Sequence, residues 1–163
     1  MRKLTPLELH EFDSQPLRVA GGAHLDADPE LVFAELSDPS RWFPLMRRSV
    51  WKTGATSGVG AEREINNALL GRARERMLAW DHGVRVAFTM TEVSSPFVDQ
   101  LGEEWLVTPE DGGTRLDFKL VATPTRLGRL ATPALRRTLE TMFARACRAI
   151  GKRAATFKGK KAS

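Results

Sequence analysis

Tyrosine is missing altogether from the 163 residues, and cysteine occurs once, as Cys147. A single thiol excludes an internal disulfide, so a reducing, cytoplasmic compartment is expected. The missing phenol removes one common proton donor and oxyanion partner. Histidine is scarce too. His10, His24 and His82 are scattered without a partner at ligand spacing, and with no CxxC or HxxxH no metal site is expected. GxSxG, GxxxxGK[ST] and GxGxxG are all lacking, which removes the hydrolase elbow, the P-loop and the dinucleotide fingerprint, and no cofactor is expected. No apolar run approaches the ~20 residues of a membrane span, and "MRKLTPLELHEF" lacks a signal-peptide core.

What is present is an ordinary globular mixture, 42% hydrophobic and 28% charged, in a length suited to one domain. The net charge of +5 and pI near 9.9 raise the question of nucleic acid. The distribution answers it. "KGKK" at 158–161 is a tail, and the other cations are spread, many at helical intervals near the C-terminus, so no nucleic-acid partner is expected.

The N-terminal "TPLELHEF" suggests a helical turn with Thr5 as N-cap and Pro6 at its first position, in an adaptable arm over residues 1–16. In "LRVAGGAHL" Val19, Ala23 and Leu25 alternate as in a half-buried strand, and His24 faces outward. "DADPELVFAELSDP" follows, with Asp28 to cap a short helix and Pro29 to open it, and a second short turn or helix is expected on "RWFPLM". Strands and turns come next, including the Gly-rich turn "GATSGVG" at 54–60, about seven strands in an antiparallel meander. In the last strand Leu116, Phe118 and Leu120 alternate with Asp117 and Lys119. From about Thr132 to Thr156 Leu135, Leu139, Met142, Phe143, Ala146 and Ile150 recur at helical steps, with Pro133 expected at the helix start and "TPTRLGRLA" at 123–131 as an approach with room for a turn of helix before Thr132. Residues 157–163 read as a basic tail.

This order, together with "AHLDADPELVFAELSDPSRWFPL", "VGAEREI", "RERMLAWDHGVRVAF" and "EEWLVTPEDGGTRLDF", resembles the polyketide cyclase/dehydrase and lipid-transport family of the START-like (SRPBCC) superfamily, over residues 17–156. The resemblance implies an α+β helix-grip fold. A seven-stranded curved antiparallel sheet would wrap on the long C-terminal helix, with two short helices after the first strand. It also implies a cavity between sheet and helix for a hydrophobic small molecule such as a lipid, polyketide or aromatic metabolite.

Strand parity then selects candidates. If Ile65 faces inward, so do Arg63 and Asn67, while Ala73, Glu75, Met77 and Ala79 share the inner face of the partner strand. A turn near Leu69–Gly71 places Ile65 opposite Glu75, with Arg63 diagonal to it. Leu101, Glu103, Trp105 and Val107 share a face one hairpin later. Arg63, Asn67, Glu75 and Glu103 are thus the inward polar groups, placed to orient a ligand, to act as acid and base, or to form a structural ion pair. Trp42, Phe43, Met46, Phe88, Met90, Phe97, Trp105, Phe118, Met142 and Phe143 are the apolar lining or core. The facing of Trp51 stays open, and Cys147 is expected buried and inert.

Three functions fit these residues. The first is a binding protein for a hydrophobic small molecule, for transport or sequestration. The second is a cyclase or dehydratase with Glu75 or Glu103 as acid/base and Arg63 stabilising an enolate. The third is a partner-binding regulatory module. Arg136, Arg137, Arg145, Arg148 and Arg153 read as a solvated helix face, or as a site of transient contact with an anionic membrane surface. A closed cavity under ~300 Å³ would exclude both small-molecule functions. The sequence sets no oligomeric state.

Overall fold

Alternating side chains build one sheet, and the computed structural model describes it over residues 1–52 and 58–160. The turn expected at 54–60 lies partly outside the described residues, as do residues 161–163. The main strands are β2 (Leu17–Leu25), β3 (Met46–Trp51), β4 (Glu62–Asn67), β5 (Gly71–Asp81), β6 (Arg85–Val93), β7 (Val98–Glu110) and β8 (Gly113–Pro124). They pair antiparallel in the order β2-β8-β7-β6-β5-β4-β3. Gly71 takes φ +68 at the β4–β5 turn, where a side chain would be strained.

Two short helical elements follow β2. Helix α1 (Pro29–Leu36) starts where Asp28 accepts the Glu30 amide at 2.9 Å. The second is a 3-10 turn at Pro39–Arg41, which precedes most of "RWFPLM". Asp38 caps it by accepting the Ser40 amide, and Pro39 suits its first position, so the turn begins earlier and is spent by Trp42. The C-terminal helix α2 (Arg126–Lys160) also begins earlier than expected, because Thr125 caps the Gly128 amide at 3.0 Å. Pro133 therefore lies inside the helix, which runs on into the segment read as a tail. Its buried stripe of Leu139, Met142, Phe143, Ala146, Cys147 and Ile150 lies in the same core as the sheet's inner face, giving the helix-grip arrangement.

Residues 1–16, expected as an adaptable arm, are packed instead. The β6–β7 ladder ends at the Thr89–Gly102 pair, and β1 (Arg2–Lys3) takes the free edge of β6 beyond it, opposite Val93 and Glu92. Leu4 joins the main core through this split, while Leu7 and Phe12 pack with Val121 in a separate cluster. Gly102 permits this, since a Cβ there would lie 2.5 Å from the Phe12 ring. The helical turn in this segment is Leu9–Ser14, with Glu8 at its N-cap and Glu11 closing a capping box; Thr5 does not cap it.

Candidate functional site

Between the inner face of the sheet, the 3-10 turn and the first half of α2 lies a cavity of about 210 Å³. Its walls are overwhelmingly apolar. Trp42, Phe43 and Met46 close one side, Phe88, Met90 and Trp105 rise from the sheet, and Leu135, Leu139, Met142 and Phe143 come from α2. The cavity is not closed. Leu69 and Phe97 line it and are 37% and 39% exposed, which places a mouth between the β4–β5 turn and the β6–β7 loop. Its volume exceeds the ~150 Å³ that holds benzene and falls below the ~300–1,000 Å³ of drug-sized sites. That volume is of the order of a one- or two-ring molecule.

The ionisable groups gather away from the mouth. Arg63 faces Glu75 directly across the β4–β5 ladder, and Ile65 faces Ala73, so the expected diagonal placement is off by one inward pair. Arg63 Nε donates to Glu75 Oε2 at 2.7 Å, Nη2 forms an ion pair with the same oxygen at 2.7 Å, and Nη1 donates to the Ser37 carbonyl at 3.3 Å. Both side chains of the ion pair are 2% exposed. The guanidinium also sits over the Trp51 and Phe88 rings, at 5.2 and 5.5 Å from their centroids. Nearby, the Trp105 indole donates to Glu103 Oε1 at 2.6 Å. Burial pushes Glu103 up to about 8, the neighbouring Glu75 charge adds to the rise, and the indole bond and Arg63 oppose it. Burial raises Glu75 as well, against the pull of Arg63.

Of the sequence candidates, all but Phe118 line the cavity. Phe118 stacks on Phe143 at 4.7 Å behind the wall, and is core. Asn67 lines the cavity while its Oδ1 accepts the Leu69 and Leu70 amides, so it shapes the turn at the mouth. Ala79 does not share the face of Met77, because a bulge between them turns Trp80 inward instead. Trp51 packs inward edge-on to Trp80, at 5.8 Å, and does not line the cavity. Leu69, Leu70, Ser95 and Ala131 line the mouth but were not among the candidates; they lie on turns and at a helix start, where strand parity carries no signal.

Outside the cavity, Arg153 is not a solvated cation. It donates to buried Glu35 at 2.7 Å and ties α2 to α1. Arg136 donates to the Arg18 carbonyl, and burial raises the Cys147 thiol to about 11. Among the described residues no three His, Cys, Asp or Glu side chains gather as a metal site, and no helix is long and apolar enough to cross a membrane.

Comparison with known proteins follows the same lines. Uncharacterised proteins of Mycobacterium bovis and Mycobacterium tuberculosis are 27% identical over 128 residues, covering 76% of this chain and 74% of theirs. Among solved structures, the ZhuI aromatase/cyclase from Streptomyces sp. R1128 superposes with a TM-score of 0.65 at 17% identity, over 85% of this chain and 93% of that one. The di-domain ARO/CYC StfQ of the steffimycin biosynthetic pathway gives 0.72 at 15% identity, over 92% of this chain and 55% of that one. At such identities the likeness is one of fold. The pattern of the family described as "Polyketide cyclase / dehydrase and lipid transport" matches residues 16–155, and the chain belongs to that family.

Proposed function

We propose that the chain binds a hydrophobic small molecule of one or two rings, for carriage or sequestration, in the cavity beneath Trp42. The observation that supports this most is the pairing of an apolar, surface-connected space of about 210 Å³ with one buried polar cluster away from its mouth. Burial of apolar ligand surface, at ~25 cal/mol per Å², supplies the affinity, and the cluster orients a polar end. Naphthalene-sized probes are expected to quench Trp42 and Trp105 emission. Ala122→Phe, which fills the space from β8, should abolish the quenching while circular dichroism stays native. Absence of quenching by every such probe, with bare protein in native mass spectra of chain purified from its own host, refutes the reading.

Glu103 favours a second reading. A carboxyl poised at about 8 can deliver a proton near neutral pH, and Glu75 beside Arg63 can receive one, as an acid/base pair requires. The two readings separate on Glu75→Ala, which an enzyme would register as lost turnover with probe binding largely kept.

Transient contact with an anionic bilayer suits delivery. Leu127 and Leu130, 53% and 82% exposed, sit on α2 beside the Ala131 wall of the cavity mouth. Arg126, Arg129, Arg136 and Arg137 accompany them, with no acidic residue between Asp117 and Glu140.

A further inference from the structure

Three ionisable side chains line the cavity away from its mouth, one cation and two carboxyls. The guanidinium of Arg63 spends Nε and Nη2 on a single oxygen of Glu75 and Nη1 on the Ser37 carbonyl. Its charge is therefore answered by Glu75. Glu103 receives only the Trp105 indole, on Oε1, and no cation bonds it. The groups that face Glu103 from the surrounding elements are Arg63 on β4 and Glu75 on β5. The 3-10 corner offers Trp42, and α2 offers Leu139, Met142 and Phe143, none of which titrates. A second unpaired carboxylate in this apolar setting would cost several kcal/mol. The balanced state holds Glu75 as the anion and Glu103 as the acid. Among the described residues no protein group hydrogen-bonds Glu103 Oε2, and Glu103 lines the cavity.

We propose that the cavity selects an uncharged one- or two-ring ligand bearing a carbonyl oxygen, with Glu103 Oε2–H donating to that oxygen, and that it rejects carboxylate ligands, fatty-acid anions among them. This rests on the ligand-binding reading above and names the chemistry of its polar end. At pH 7 a carboxylate entering the cavity meets a guanidinium already neutralised, and beside it the Glu75 charge and an acid that is still protonated. An uncharged carbonyl meets the Glu103 Oε2–H, for which no protein acceptor is in place.

The probes are naphthalene, 1-tetralone and 1-naphthoate, titrated calorimetrically. At pH 7 1-tetralone is expected to bind at least tenfold more tightly than 1-naphthoate. With Glu103 titrating at about 8, wild-type affinity for 1-tetralone should fall about tenfold between pH 7 and pH 9, while naphthalene binding stays level. Glu103→Leu should bring 1-tetralone down to the level of naphthalene, and Glu103→Gln, whose amide donates at every pH, should remove the fall. Equal binding of 1-naphthoate and 1-tetralone overturns the proposal, as does a flat 1-tetralone profile with naphthalene still bound. Failure of all three probes on folded protein instead defeats the ligand-binding reading itself.

Discussion

Replacing Glu103 by glutamine should make the protein more stable at pH 8 and leave it nearly unchanged at pH 5. In the folded chain Glu103 is 8% exposed and its carboxyl is raised from 4.5 to about 8. The folded state therefore holds a proton that the unfolded state has released, throughout the interval between those values. With more protons bound when folded, stability must fall as pH rises across that interval. The contribution is fully present below pH 4.5 and gone above about 8. At about 1.4 kcal/mol per pH unit, the loss across the interval amounts to about 5 kcal/mol. Glutamine keeps an acceptor for the Trp105 indole and has no proton to lose. Urea unfolding of wild type and Glu103→Gln at half-unit steps from pH 5 to pH 9 reads the difference directly, since the surface carboxylates are common to both. The two curves should start within about 1 kcal/mol and diverge by several, with any slope left in the variant reporting Glu75. Parallel curves would show that Glu103 ionises in the fold as freely as in water, and would remove the balance of charges on which its proposed donor role depends.

Two further outcomes concern the ends of the chain. Phe12→Ala removes a ring that is 2% exposed and seated on Gly102, and should cost about 3–5 kcal/mol in urea unfolding; a loss under 1 kcal/mol would return residues 1–16 to the status of a loose arm. Leu127→Ser with Leu130→Ser should lower co-sedimentation with phosphatidylglycerol-containing vesicles several-fold and leave the unfolding midpoint unchanged; undiminished sedimentation would show that this helix face plays no part.

Most of the inner face was legible because strand parity is rigid. Once Ile65 is inward, Arg63 and Asn67 follow, and Glu103 follows from Trp105. What parity does not hold is register. Whether Arg63 meets Glu75 directly or on the diagonal depends on how many residues the turn before Gly71 consumes, and Asn67 sets that by accepting both the Leu69 and Leu70 amides. Parity also fails at bulges. Between Met77 and Ala79 one extra residue reverses the alternation, and nothing in "RERMLAW" marks the place. The first turns of α2 were obscured by Pro133, which suits a helix start but here sits within a helix already begun at Arg126. The N-terminal segment escaped for a different reason. Its partner is a gap in the sheet, created where β6 and β7 part beyond Thr89, and a gap has no sequence of its own.

A buried ion pair is not by itself a gain in stability; well-packed apolar residues of like volume often serve the fold as well. The arrangement at this site is more costly still, because it adds a second carboxyl that the one guanidinium does not reach by hydrogen bond. Had the cluster served only to join β4 to β5, Arg63 and Glu75 would suffice, and Glu103 could be leucine like its β8 neighbour across the ladder, Leu120. Surface position offers no escape, since the alternation that turns Trp105 and Val107 inward turns Glu103 inward with them. The second carboxyl, Glu103, instead lines the apolar cavity whose mouth lies at Phe97 and Leu69. Local expense without local structural return is what the proposed ligand-binding reading accounts for. The ligand it proposes is apolar enough for the walls and polar at one uncharged atom for Glu103.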